Sequence, residues 1–326
     1  MSDGSDDGHP AVRPHPSAVR ALQIEAARRF YLEDASKIEI GRELGISRFQ
    51  VARLLQSARA SGVVRIHIDE VYATRDDLAQ DLSRAFNLQM TAVLESAPEE
   101  TVDQRRGSLG ALAAQQLQSL LSPDDVLGLP WSRSVSATVT ALSGLPPVDV
   151  VQLSGARWEP DHSSAPADVV RDAASLGRGR PYRFHAPFVA SDAAAAVSLR
   201  RDPAFLAAQA RVPAITVAVV GVGAFDPEFS TLYTAATAAE IDELRVAGAV
   251  GEVSGVFIDV DGYPLSGSFA RRLITVSAQQ LRGIPDVIGV CMGDERAGAV
   301  AAACRGGLLN SLVVDVPLAQ ALLRGD

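Results

Sequence analysis

The sequence predicts a small all-α module with a short wing, followed by a larger three-layer α/β domain with a mostly parallel sheet. The first part rests on paired helix-capping signals around a glycine in residues 36–55, SKIEIGRELGISRFQVARLL, and on an alternating run just beyond them. The second rests on apolar runs that alternate with helical patterns from about Leu88 onward. Several of those runs are continuous Val/Ile/Leu segments, as strands covered on both faces require. Length permits the division, since 326 residues are enough for two domains and a large buried core.

Residues 1–16 open as an acidic, Pro-rich stretch and read as a disordered tail. A first helix is expected over 18–32, with Leu22, Ala26 and Phe30 on one face. Ser36 and Glu39 have the spacing of a capping box for a helix over 37–44, which Gly45 can end in the left-handed region. Ser47 can cap a second helix that Gly62 ends. Ile40, Leu44, Ile46, Val51 and Leu54 supply the apolar contacts two crossing helices need, and Gly41 is small where they approach. This is the pattern of a helix-turn-helix. Residues 63–68 alternate like a strand and complete a winged helix-turn-helix over 17–70, with His67 a solvated strand residue.

The candidate DNA-binding residues are accordingly Ser36, Ser47, Arg48, Phe49, Gln50 and Arg53. The serines seat the helices, and the other four face outward from the second. Arg and Gln are the side chains that read guanine and adenine edges bidentately in the major groove.

Residues 71–88 are expected to link the two parts. Within them, 74–86 form a charged amphipathic helix whose Leu78, Leu82 and Phe86 stripe suggests a connecting or dimer-forming role. In the domain over 89–326, strands are expected at 90–94, 126–129, 148–153, 214–220, 255–259, 273–276, 287–291 and 312–314. Helices fall between them, for example at 102–121, 235–246, 295–305 and 317–323.

Composition narrows the function classes. Hydrophobic residues at 47% and charged residues at 21% are those of an ordinary globular protein. No apolar run is long enough to span a bilayer, and the acidic start is no signal peptide, so a cytoplasmic location is expected. Cys291 and Cys304, the only cysteines, have no partner at metal spacing and read as buried reduced thiols. Neither metal nor cofactor is expected. The net charge of −9 alone argues against nucleic acid, but its distribution reverses that: residues 17–68 hold nine Arg or Lys against five Asp or Glu. A locally positive module on an acidic body suits a protein that meets phosphates at one end.

Ligands in open α/β sheets bind beyond the carboxyl ends of strands, where free N–H groups meet helix N-termini. Four strand ends here carry suitable loops. They are Gly128 to Ser134, Leu153-Ser154-Gly155, Gly221-Val222-Gly223 and Met292 to Arg296. Together they favour a small anionic ligand. Gly221-Val222-Gly223 lacks the further glycine and acid of a dinucleotide fingerprint, and His162 and His185 have no nucleophile elbow to serve. Asp259-Val260-Asp261-Gly262 reads as a turn.

The segments SRFQVARLLQSARASGVVRIHI, VLGLPWSRSV, VVQLSG, AVVGVG, GAVGEVSGVFIDVDG and MGDERAGAVAAACRGGLLNSLVVD, in that order, resemble the SorC/DeoR-type sugar-sensing transcriptional regulators from about Leu22 to Leu323. The resemblance implies an effector domain related in fold to sugar-phosphate isomerases and glucosamine-phosphate deaminases. It also implies a dimer or tetramer that rearranges on double-stranded operator DNA when a sugar or sugar phosphate binds. The effector-binding candidates it implies are Gly128, Trp131, Ser132, Arg133, Ser134, Gln152, Ser154, Gly155, Gly221, Gly223, Glu252, Asp259, Gly293 and Arg296.

Three positions depart from the family pattern. Its usual Gly-x-Gly-Trp-Gly-x-Thr loop reads Gly-Leu-Pro-Trp-Ser-Arg-Ser here, and Pro130 removes a backbone donor. Arg296 stands where a lysine is usual and offers phosphate a planar fork. Gly251-Glu252 replaces Gly-Asp. Lys37 is the only lysine, so a Schiff base in the effector domain is excluded. Two function classes follow, a ligand-responsive DNA-binding regulator and a sugar-phosphate isomerase or deaminase with an accessory module. Against the enzyme, there is no His/carboxylate pair at motif spacing for acid–base work.

Overall fold

The computed structural model describes residues 16–61, 63–64, 72–97, 99–156 and 166–325. The chain divides between Asp69 and Glu70 into two compact units.

In the first unit both capping boxes form. Ser36 Oγ accepts from the Glu39 N–H while Glu39 accepts from the Ser36 N–H, which starts α2 (Lys37–Leu44). Ser47 and Gln50 repeat the exchange at the start of α3 (Arg48–Ala60). Gly45 ends α2 with φ 66°, and the turn closes through the Ile46 N–H on the Gly41 carbonyl at 2.9 Å. A Cβ on Gly41 would stand 2.7 Å from the Ile46 carbonyl oxygen, so a side chain there would force the helix and the turn apart. With α1 (Pro16–Leu32), these helices enclose Ala26, Ala27, Ile40, Val51, Leu55 and Ala58.

Some expectations shift here. The first helix begins at Pro16, inside the expected tail, and Leu22 is exposed rather than on the apolar face. The α3 cap is Ser61, while Gly62 lies outside the described residues. Val63 and Val64 form a bend, not a strand, and 65–68 of the expected wing, with His67, also lie outside the described residues.

The second unit is built on a seven-stranded sheet. Its elements run α4 (Asp76–Phe86), β1 (Met90–Leu94), α5 (Val102–Leu120), β2 (Val126–Leu129), α6 (Arg133–Ala141), β3 (Asp149–Gln152), α7 (Pro166–Gly177), β4 (Pro181–Tyr182), α8 (Ala193–Leu199), α9 (Pro203–Arg211), β5 (Val217–Val220) and β6 (Val222–Ala224). Then come α10 (Ala238–Val246), β7 (Gly251–Val253), β8 (Val256–Ile258), α11 (Ser268–Arg272), α12 (Ala278–Arg282), β9 (Asp286–Cys291), α13 (Ala297–Arg305), β10 (Ser311–Asp315) and α14 (Val316–Arg324). The sheet order is β1-β10-β9-β5-β2-β3-β4, and every pairing is parallel.

Burial of both faces makes the unit three-layered. Along β9, Val287 and Cys291 join one apolar cluster with α4, α13 and α14, while Ile288 and Val290 join another with α5, α6 and α7. This alternation within a wholly buried strand is why the sequence reads as a continuous apolar run.

Three elements differ from expectation. The Leu78, Leu82 and Phe86 stripe of α4 packs against the unit's own core, with Leu82 fully buried and Leu78 and Phe86 partly exposed, so the core accounts for most of the stripe. Residues 255–259 are not a strand of the main sheet. Val256–Ile258 pairs with Gly251–Val253 as a hairpin, and β6 completes a separate antiparallel sheet. The hairpin loop, Ser254 (φ 52°) and Gly255 (φ 86°), has the two left-handed residues that a two-residue turn requires. Residues 273–276 form only isolated bridges, Val189 with Leu273 and Ser154 with Thr275, because the segment crosses between two loops instead of running along a strand.

Candidate functional site

Strand order places the site. From β2 the chain moves outward to β3 and β4, then returns to the other side of β2 with β5, β9 and β10. Beyond the carboxyl ends of β2, β5 and β9, three neighbours around that reversal, lies a cavity of about 110 Å³. A topological switch point is where an open α/β sheet leaves room for a ligand.

The β2 loop contributes Pro130, Trp131, Ser132, Arg133 and Ser134 to the lining. Ser132 caps α6 by accepting from the Val135 N–H at 3.1 Å, so the positive end of that helix faces the cavity. Just past β5 come Gly221 and the first β6 residues, Val222 and Gly223, and at or past the end of β9 come Cys291, Met292 and Arg296. The Arg296 guanidinium donates to the Met292 carbonyl at 2.7 Å and lies 5.3 Å from the centroid of the Phe229 ring. Its nearest carboxylate, Glu295, is 4.0 Å away. The guanidinium is thus held by the backbone of its own loop, with its neighbouring acid at the limit of pairing.

The small antiparallel sheet supplies the other polar groups. Glu252 on β7 is buried, and its Oε2 accepts from the Gly255 N–H at 2.6 Å. Burial pushes its carboxyl up to about 7, only partly offset by that hydrogen bond. Gly223 lies opposite Glu252 in the β6–β7 pairing, and a Cβ there would stand 2.6 Å from Glu252 Oε1. The glycine leaves room for the carboxyl to reach the cavity. Ser254, also on the lining, has a buried hydroxyl with no hydrogen-bond partner among the described residues. Cys291 is a neutral wall, its thiol pushed up to about 12 by burial.

Of the effector candidates, the cavity gathers Trp131, Ser132, Arg133, Ser134, Gly221, Gly223, Glu252 and Arg296. It does not gather the other six. Gly128 is in the core, where a Cβ would meet Ile215 and Leu153 at 3.2 Å. Gln152 spans its own neighbourhood, donating to the Ser154 carbonyl and accepting from the Phe184 N–H. Ser154 Oγ accepts from the Trp131 N–H at 3.2 Å and so supports the first loop from behind. Gly155 allows close contact with Pro187, and its N–H is spent on the Ile274 carbonyl. Asp259 closes a turn by accepting from the Asp261 and Tyr263 N–H groups. Gly293 donates its N–H to buried Asp315 at 3.0 Å, which removes it as a ligand donor.

Sequence reasoning missed Arg106 on α5, Phe188, Glu228, Phe229, Thr231 and Ser254. Arg106 is paired with Asp103 at the helix surface. Ser254 alone carried a signal, as the residue before a glycine after a buried strand. His185 is exposed away from the cavity, and His162 is outside the described residues. No group of three or more His, Cys, Asp or Glu able to hold a metal occurs among the described residues.

In the first unit, Arg48, Phe49, Gln50 and Arg53 are all exposed on α3. Gln50 differs from expectation in one respect: its Oε1 turns back to the Ser47 N–H at 2.8 Å. A side chain engaged there is poorly placed to grip an adenine with both amide atoms.

A family model for a sugar-binding domain matches residues 71–324, and the chain belongs to that family, the SorC/LsrR type of sugar-binding transcriptional regulator. Among its relatives is the transcriptional regulator LsrR of Klebsiella pneumoniae, 30% identical over 313 residues that cover 94% of each chain. LsrR of Escherichia coli K12 is 29% identical, covering 93% of this chain and 94% of its own. Among solved structures, the full-length sorbitol operon regulator SorC of K. pneumoniae superposes with a TM-score of 0.69 at 23% identity, covering 94% of this chain and 99% of its own. A DeoR family regulator of Listeria monocytogenes gives 0.67 at 20%, covering 76% and 98%.

Proposed function

We propose that this chain binds operator DNA through a winged helix-turn-helix over 17–70 and that a small anionic sugar, polyol or sugar phosphate in the cavity controls that binding. The observation that carries the effector reading is the convergence of Arg106, Arg133, Arg296 and the α6 N-terminus on a cavity that also holds Glu252 and Ser254. In this reading Ser132, Arg133, Ser134 and Arg296 hold the anionic group, because charge-assisted donors and a helix N-terminus favour it there. Glu252 and Ser254 meet hydroxyls. Gln152, Ser154 and Gly155 act behind the first loop rather than on the ligand.

Thermal unfolding of the full chain against a panel of sugars, polyols and their phosphates tests this. A ligand at one hundred times its dissociation constant should add roughly 2.7 kcal/mol, or roughly 5–10 °C for a unit of this size. Arg296→Ala should abolish that response and leave DNA affinity unchanged. If the variant still responds with unaltered affinity, the anion is held elsewhere.

One observation favours the enzyme reading, a carboxyl near neutrality on a cavity wall. Among the described residues the only other acid on the lining is Glu228, which is exposed, and no histidine reaches the cavity. We therefore expect no turnover of the bound ligand, and product formation with any sugar phosphate would reverse that.

A further inference from the structure

Helix α3 carries Arg48, Arg53 and Arg59 and no acid. Its inner face, with Val51, Leu55 and Ala58, is used within the three-helix unit. On its outer face Phe49 is 64% exposed, in the first turn and flanked by polar residues. A phenyl ring gains nothing from water there, and the core does not need it. The Arg48 guanidinium sits 4.7 Å from the ring centroid, a stacked arrangement that restricts both side chains. Gln50, its neighbour, is drawn back into the capping box.

We propose that Phe49 is a sequence-reading residue whose ring packs on the 5-methyl group of a thymine in the major groove, steadied by the guanidinium of Arg48. This rests on the DNA-binding reading above and assigns a specific contact within it. The first-turn residues of the second helix of such a motif meet base edges. Of the groups that base pairs present in the major groove, the thymine methyl is the apolar one, and apolar side chains recognise it. Three arginines without an acid make the surrounding surface complementary to a polyanion. That charge is what commits the occupant to DNA rather than to an apolar protein surface.

The test couples one side chain to one methyl group. The full chain first selects its tightest duplex from a random pool. Each thymine of that duplex is then replaced singly by deoxyuridine, which deletes the methyl and keeps the base pair. Affinities are measured for the wild type and Phe49→Ala. Because Phe49 is largely exposed, the variant should keep the wild-type unfolding midpoint.

At one thymine per half-site the wild type should lose about fourfold in affinity, the worth of one buried methyl-sized group, while Phe49→Ala loses nothing. Equal responses of the two proteins at every thymine would overturn the role of Phe49 and leave DNA binding standing. Retention of no duplex would overturn the DNA-binding reading itself, and this contact with it.

Discussion

Glu252 shows how much one residue can reveal once its surroundings are known. It carries the acid of the middle motif, yet burial rather than any charged partner sets its protonation, raising it from its ordinary 4.5 to about 7. The unfolded chain releases this proton near 4.5, while the folded chain holds it until about 7. The stabilising contribution is therefore complete below about 4.5 and is lost as pH rises through about 7, a total of about 3 kcal/mol. Glu252→Gln keeps an acceptor for the Gly255 N–H but cannot ionise. Its stability relative to wild type should thus increase by about 2–3 kcal/mol between pH 5 and pH 8, read from denaturant unfolding at both. Other titrating groups cancel in the difference, so a constant offset would mean that Glu252 is already ionised in the folded chain at pH 5. The residues that sequence could place are those just past an apolar run, such as Trp131 to Ser134, Gly221 and Gly223, because a strand's carboxyl end is a local feature. Arg106 and Phe229 could not be placed, since they reach the cavity only through how α5 and the loop after β6 pack.

Elements were most legible where their signals are short-range. A capping box links residues three apart, so both boxes and the left-handed Gly45 could be read directly and are present. The β6–β7–β8 sheet was not legible, because its strands are three residues long and its Ser254-Gly255 turn lacks the usual Asn-Gly or Asp-Gly. Amphipathicity also has two meanings. The α4 stripe signals a face that must be buried, and the core of its own unit buries it. Close approach at Gly41 gives the sharpest test at this scale. Gly41→Ala would place a methyl 2.7 Å from the carbonyl oxygen of Ile46, the residue whose N–H closes the turn on Gly41, so relief requires α2 and the turn to separate. Overpacking of this kind costs about 1–3 kcal/mol, somewhat above the ~1 kcal/mol expected for loss of the Ser47 cap. Hydrogen exchange should show faster opening of α2 and α3, with β9 and β10 unchanged. Equal protection of α2 and α3 in the variant would show that the turn yields without cost.

At the scale of the whole molecule, an acidic body and a basic module divide the work. The chain is −9 overall, while residues 17–68 carry nine basic groups against five acidic ones. Phosphates are attracted to that module and repelled by the rest, which favours one docking orientation. One module of this size buries too little surface for tight specific binding, whereas two modules reading half-sites about one helical turn apart double the contact. We therefore expect the working unit to be a homodimer or a multiple of it on a pseudo-palindromic operator. Leu82 is spent inside the second unit, while Leu78 and Phe86 pack against its core and stay partly exposed. Loss of the basic module should leave self-association intact if its surface belongs to residues 70–326. Sedimentation of the full chain, free and on DNA, measures this directly. The expected result is at least two chains per duplex, with a single half-site bound far more weakly than a pair. A monomer in both states, with half-site and full-site affinities alike, would mean that one three-helix unit suffices for recognition.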